Sequence, residues 1–198
     1  EVPGDYNGVA AAVSAASSGD VVCVGPGVYS DNVDTGGKAL HVLGVAGAEL
    51  TIIDGGGWGS VFTIDSGEGT GTVVQGFTVT GGSASSGGGF YIEASSPTLS
   101  HLIVSANSAT YGGGLFMSSN ASPSRTHVDI VGNTGTQYGG GLNAYQAHPT
   151  LSNVVISDNS SAQGGGIVAY WYGSLVLDHV LITDNSSTAY GGGMAVST

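Results

Sequence analysis

A single cysteine, Cys23, excludes an intrachain disulfide, so no covalent staple holds this 198-residue chain. Positive charge is nearly as scarce: Lys38 and Arg125 stand against 14 Asp and Glu, a net charge of -12. Nucleic acid and anionic membrane surfaces are therefore poor partners, because holding phosphate takes clustered Lys and Arg. Charged residues make up only 8% of the chain, against roughly 25% in an average globular protein, so the surface has to be built from Ser, Thr, Asn, Gly and Tyr. So little acid does not fit halophilic adaptation. No run approaches the roughly 20 apolar residues of a membrane-spanning helix, and no basic n-region with an apolar h-region stands at the start. The chain opens at Glu1 without an initiator Met, which carries the expectation of a removed signal peptide or upstream region. The shortage of trypsin-type cleavage sites agrees with an extracellular or cell-surface location. Cys23, inside Val21-Val22-Cys23-Val24, reads as a small buried hydrophobe.

What is present in quantity is glycine, and it is periodic. Gly-Gly-Gly begins at Gly87, Gly112, Gly139, Gly164 and Gly191, at spacings of 25, 27, 25 and 27, each followed by an apolar residue: Phe90, Leu115, Leu142, Ile167, Met194. A second marker keeps strict register. Asn107, Asn133, Asn159 and Asn185 lie 26 apart, each followed by Ser or Thr, with Gly82 in the equivalent place one repeat earlier. Three residues before each Asn stands Val104, Ile130, Ile156 or Ile182.

Between the markers, β-branched and apolar residues recur at short spacing, as in Thr98-Leu99-Ser100-His101-Leu102-Ile103-Val104, with no helical period. A repeat of this length is too short for a propeller blade of ~40 residues or a helical pair of ~33. The reading is a right-handed parallel β-helix in which each coil pairs with the next at ~4.8 Å, so that like side chains form columns. Leu99, Leu151 and Leu177 form one column, Leu102, Val128, Val154 and Val180 another, Val104, Ile130, Ile156 and Ile182 a third. The asparagines form an amide ladder at a corner. Arg125 interrupts the leucine column, so that coil is expected to bend outward or to pair the guanidinium.

The first half is less regular. Gly8 to Ser17 is the one convincing helix, with Asn7 as its N-cap, and a solenoid needs a lid over its open end. Strand-like runs follow at Asp20–Val24, Ala39–Leu43, Leu50–Ile53, Ser60–Ile64 and Thr72–Thr80. The fold class is thus all-β, a capping segment over residues 1–19 and a parallel β-helix over 20–198, about seven coils in all.

The opening Asp5-Tyr6, Ala10-Ala11-Ala12-Val13, Ser18-Gly19-Asp20-Val21-Val22 and Pro26-Gly27-Val28-Tyr29-Ser30-Asp31 resembles the cap and first coil of pectate-lyase-like β-helix proteins. Over residues 73–198, the I-x-x-N and G-G-G-[IL] repeats resemble those of polymorphic outer-membrane proteins and related bacterial adhesins. The resemblance implies the fold and leaves the function open among lyases, hydrolases, esterases, adhesins and structural spikes. Lyases of this fold, the resemblance implies, use an Arg or Lys base and usually calcium held by several carboxylates, and neither Lys38 nor Arg125 sits in such a motif. The polygalacturonase and pectin-methylesterase signatures are also absent, so no catalytic residue is assigned and no cofactor is expected.

Asp158 and Asp184 are the best carboxylate pair, one coil apart in one column, and the weak candidates for a cation site; as part of Asp-Asn-Ser they read first as turn formers. His101, His127 and His179 share another column with Asn153 between them, too few ligands for zinc. Paired Ser and Thr such as Thr98 with Ser100 and Thr150 with Ser152 suggest an ice-binding array, which Asp178 breaks. The aromatics are the most suggestive exposed feature: Tyr145 and Tyr170 are equivalent, and Tyr170-Trp171-Tyr172 runs on without a break, so at least one ring faces solvent or a partner. Tyr111, Tyr138 and Tyr190 form a further column. The chain stops at Thr198 in mid-coil with no charged edge, so continuation of a parent chain or head-to-tail association into filaments is expected at that end. The leading reading is a non-enzymatic structural or adhesion module of a secreted or cell-surface bacterial protein, with Tyr145, Tyr170, Trp171 and Tyr172 as contact surface. A carbohydrate-active module, lyase-like or glycan-binding, is the alternative.

Overall fold

A computed structural model describes residues 1–197; Thr198, the last residue of the expected second segment, lies outside them. Behind a helix α1 (Val9–Ala15), the chain winds through seven coils. The first carries β1 (Val21–Val24), β2 (Gly27–Ser30) and β3 (Val33–Asp34); the second β4 (His41–Gly44), β5 (Thr51–Asp54) and β6 (Phe62–Ile64). The third has β7 (Val73–Gln75), β8 (Thr78–Thr80), β9 (Ser83–Ser86) and β10 (Phe90–Glu93). From there each coil is one eight-residue strand and two short ones: β11 (Thr98–Ser105), β12 (Ser108–Tyr111), β13 (Leu115–Ser118), then β14 (Ser124–Val131), β15 (Thr134–Tyr138), β16 (Leu142–Tyr145). The last two coils are β17 (Thr150–Ser157), β18 (Ser160–Gln163), β19 (Ile167–Tyr170) and β20 (Val176–Thr183), β21 (Ser186–Tyr190), β22 (Met194–Val196). Sheet 1 holds β1, β4, β7, β11, β14, β17 and β20 with β2, β5 and β8; sheet 2 runs β9-β12-β15-β18-β21; sheet 3 runs β3-β6-β10-β13-β16-β19-β22. Strand pairs within all three are parallel.

The columns are those the repeat dictates. Leu102 pairs with Val128, Val128 with Val154 and Val154 with Val180, and Val104, Ile130, Ile156 and Ile182 follow in the same register. The inward residues of a coil, Leu99, Leu102, Val104 and Asn107, are spaced three, two and three, which a strict period of two cannot supply. A residue with left-handed φ inserts each extra step: His101, His127, Asn153 and His179 at 51–54°, then Ala106, Gly132, Asp158 and Asp184 at 53–65°. All but Ala106 are Asn, Asp, His or Gly, the types that tolerate that region. The same conformation at Gly76 (φ 82°) cuts the expected run Thr72–Thr80 into β7 and β8.

The alternation of 25 and 27 also has a structural origin. In the longer coils the turn after sheet 3 carries two left-handed residues, Ser119-Asn120 or Trp171-Tyr172, where the shorter coil has Gln146 alone. The second extra residue is a bulge in β15 and β21, which are five residues long against four in β12 and β18. The two insertions fall on opposite sides of each Asn, so the Asn spacing stays constant. The triplets themselves are steric. A Cβ on Gly140 would stand 2.4 Å from both Gly165 O and Ser160 O, closer than any side chain can sit.

Four expectations need correction. Asn7 does not cap α1: the N-cap is Gly8 without a side-chain bond, and Val9 N–H donates to Asp31 Oδ2 at 2.7 Å, so the cap comes from the end of the first coil. The helix is also shorter than Gly8–Ser17, and its C-terminal carbonyls on Val13, Ser14 and Ala16 all accept from Lys38 Nζ. Cys23 is half-buried, because Val22 and Val24 take the inward positions of β1. Arg125 neither bends its coil outward nor pairs. It keeps register between Leu99 and Leu151, is 1% exposed, and its only partner among the described residues is the thioether of Met117.

A buried acid knits the N-terminal coils. Glu68, 3% exposed, accepts from Thr35 Oγ1, Gly37 N (2.9 Å), Ser66 N (2.8 Å) and Ser95 Oγ (2.9 Å). Burial alone would raise its pKa, but the hydrogen bonds from Thr35, Gly37, its own backbone and Ser66 outweigh it and hold the carboxyl below its ordinary value. A depressed folded pKa contributes stability that is present above the unfolded pKa of about 4.3 and is lost as pH falls through the folded one. Glu68→Gln is therefore expected to be less stable than the native protein at pH 7, with the gap closing below about pH 4.3. Denaturant midpoints taken between pH 7 and pH 3 check this, and a gap that stays constant refutes it.

Candidate functional site

Outward positions of sheet 3 fall on the residue directly after each Gly triplet's apolar follower, and they form the column Tyr91, Phe116, Asn143, Val168. Tyr91 and Phe116 stack at 5.7 Å and 7°. Along the corner before the triplets, Tyr111 and Tyr138 stack at 5.8 Å and 9°. Tyr138 meets Tyr170 at 5.5 Å, Tyr170 meets Tyr145 edge-on at 5.1 Å, and Tyr145 meets Trp171 at 6.3 Å. Asn143 and Val168 face outward yet are buried, because the tyrosine rings close over the sheet. A cleft of about 390 Å³ opens beside this cover, lined by Tyr138, Gln163, Val168, Tyr170, Trp171 and Tyr190.

Of the four residues the sequence singled out, Tyr145 and Tyr170 are register partners in the cluster, Trp171 joins it at the rim, and Tyr172 lies in no ring pair. Trp171 and Tyr172 are 58% and 81% exposed, and both hold left-handed backbone, φ 54° and 64°. Bulky aromatics are rare there, and such positions cost of order 1–3 kcal/mol each. Two coils earlier the same turn is made by Ser119-Asn120. Tyr138 belongs to the column Tyr111, Tyr138 and Tyr190 read from the sequence, whereas Tyr91, Phe116 and Asn143 were not singled out. The signal for them was the outward place after Phe90, Leu115 and Leu142, which a period of two assigns to one face.

Two hydroxyls of this face, on Tyr170 and Tyr91, hold their protons more tightly than a free tyrosine. Burial raises Tyr170, and the neighbouring tyrosines add to it while the Asn143 amide opposes. Burial, the hydrogen bond to Glu93 and the charges of Glu93 and Asp65 push Tyr91 up to about 12. Glu93 is held below its ordinary value by donation from Tyr91 (2.6 Å) and Ser119 (2.9 Å). Such a face offers stacking surfaces and hydroxyl donors.

The two free-standing cations of the sequence are taken up elsewhere. Lys38 is bound at the end of α1 and Arg125 is inside the solenoid, so neither reaches a surface groove. Asp158 and Asp184 are exposed, left-handed turn residues, and Thr183 Oγ1 donates to Asp184 Oδ2 at 2.8 Å. His101 and His127 stack at 5.0 Å, Asn153 follows, and His179 Nδ1 meets Asp178 at 2.7 Å. Among the described residues, no three of His, Cys, Asp or Glu converge in a metal-holding group. No protein family, curated protein or solved structure was found to match this chain.

Proposed function

We propose that this chain is a non-enzymatic scaffold and adhesion module of a secreted or cell-surface bacterial protein, and that it holds its partner through the aromatic face of sheet 3. The observation that carries this reading is Trp171-Tyr172: two exposed aromatic rings on left-handed backbone, where Ser119-Asn120 makes the same turn at lower cost. Strain kept without a folding return points to contact. The likeness of the repeats to bacterial adhesins, and of the opening to pectate-lyase-like proteins, agrees with it. A second reading, glycan binding, is favoured by the row of rings from Tyr91 to Trp171, whose spacing suits sugar faces. With Lys38 and Arg125 engaged in the fold, that reading favours neutral over acidic polysaccharide, and neither residue is free to act as the Arg or Lys base that the lyase resemblance implies.

The double substitution Trp171→Ser with Tyr172→Asn installs the turn that the chain itself uses two coils earlier. Its melting temperature is expected to equal or exceed that of the native chain, while binding falls at least tenfold. Binding is read on immobilised neutral glycans, acidic glycans and extracellular-matrix proteins, and sedimentation velocity reports self-association. A native chain that adheres to none of these and stays monomeric overturns the proposal; binding that survives the substitution moves the contact off this turn.

A further inference from the structure

Arg125 is the largest fully buried side chain among the described residues, and none of their carboxylates pairs its guanidinium. Among the described residues its Nε and Nη1 have no hydrogen-bond partner, and Nη2 meets only the Met117 sulfur, a weak acceptor. Ion pairs among the described residues are Glu1 with Asp5 and His179 with Asp178, neither at Arg125. The buried carboxylate among the described residues, Glu68, is taken up by its own donors. A guanidinium stripped of water and left without a counter-charge is among the least tolerable arrangements in a protein interior, and orphaned buried donors of this kind usually mark a bound ion or water.

The interior beside it has small residues where larger ones stand earlier. Along sheet 3 the inward column runs Ile64, Ile92 and Met117, then Ala144 and Ala169. The buried turn positions Ala121 and Ala147 add two more methyl groups in Arg125's own coil and the next. Leu99 and Leu151, above and below Arg125, offer no polar atom.

We infer that the solenoid interior binds one small monovalent anion of the halide class against Arg125, as an internal counter-ion that completes the fold. One positive charge calls for one negative charge. Because the surroundings contribute leucine, alanine and a thioether, a weakly hydrated monovalent ion is favoured over phosphate or sulfate, whose further charge and oxygens would find no donors. Burial pushes the guanidinium pKa down to about 9, the same unfavourable placement of the charge in another form.

Thermal unfolding at constant ionic strength, with sodium gluconate exchanged stepwise for sodium chloride, tests this on the native chain and on Arg125→Met. The native melting temperature is expected to rise along a saturating curve by several degrees as the ion binds only the folded state, while Arg125→Met stays flat. Parallel responses overturn the inference. Should Arg125→Met fail to fold, crystals of the native chain grown in sodium bromide decide: an anomalous peak within hydrogen-bond distance of the guanidinium supports the site, and its absence overturns it.

Discussion

Asn133→Ala is expected to lower the unfolding free energy by about 3–5 kcal/mol and the melting temperature by about 10 °C. Asn133 is fully buried, and its amide works in both directions along the axis. Oδ1 accepts from Asn107 N and Asn107 Nδ2, both at 3.1 Å; Nδ2 donates to Val104 O at 2.9 Å, Asn159 Oδ1 at 3.0 Å and Val131 O at 3.3 Å. Truncation strands the Asn107 N–H and the Val104 carbonyl in the interior, and each orphaned group costs about 1–3 kcal/mol. Because each coil leans on its neighbours, the loss falls on the joint between the fourth and fifth coils rather than on a single residue. Asn185→Ala, in the seventh coil, is the control: its amide is only half-buried, and its loss is expected to cost about half as much. Equal losses at the two sites, measured by guanidinium denaturation, would show that the ladder does not act through burial. The ladder's upper end is Gly82, whose N–H donates to Asn107 Oδ1 at 2.9 Å. Glycine is required there because a Cβ would stand 1.8 Å from Gly88 O.

That ladder was legible in the sequence because its chemistry repeats without variation. Five triplets and four asparagines in register determine the winding, and the inward columns follow from periodicity alone. The strand breaks were less legible. A left-handed residue does not announce itself when one column is filled by His, His, Asn and His and another by Ala, Gly, Asp and Asp. Read residue by residue those columns suggested metals and carboxylate pairs; their common property is tolerance of one backbone region. The first three coils were harder still, because β2 and β3 are short, Gly44 and Gly76 face each other with no room for a side chain, and turn lengths vary from coil to coil. The long-range devices were invisible: no local pattern connects Asp31 to α1, Lys38 to the helix carbonyls or Glu68 to Thr35 and Ser95. The aromatic face was half-legible. Tyr145, Tyr170, Trp171 and Tyr172 stand out by identity, whereas Tyr138 and Asn143 belong to it only because two sheets meet at the corner.

Arg125→Leu is expected to stabilise the chain, by about 1–4 kcal/mol, although it deletes the only arginine. The sign follows from where the charge sits. Leu99 and Leu151 flank position 125 in register, so leucine completes a column of side chains already shaped for it. Arginine at that place forgoes hydration and recovers one weak contact with Met117. The expected rise in melting temperature is about 2–4 °C for each kcal/mol at this chain length. Arg125→Ala separates charge from packing: it removes the buried cation but leaves a void, whose cost of about 2–5 kcal/mol cancels or exceeds the gain. Leucine above native and alanine at or below it is thus the required order. The gain from leucine is also expected to be larger in gluconate than in chloride, since a bound halide relieves in the native chain what the substitution removes outright. If Arg125→Leu unfolds more readily than the native chain in both salts, the guanidinium makes favourable interactions that a dry leucine column cannot replace, and the interior is not the apolar stack that the register of β11, β14 and β17 describes.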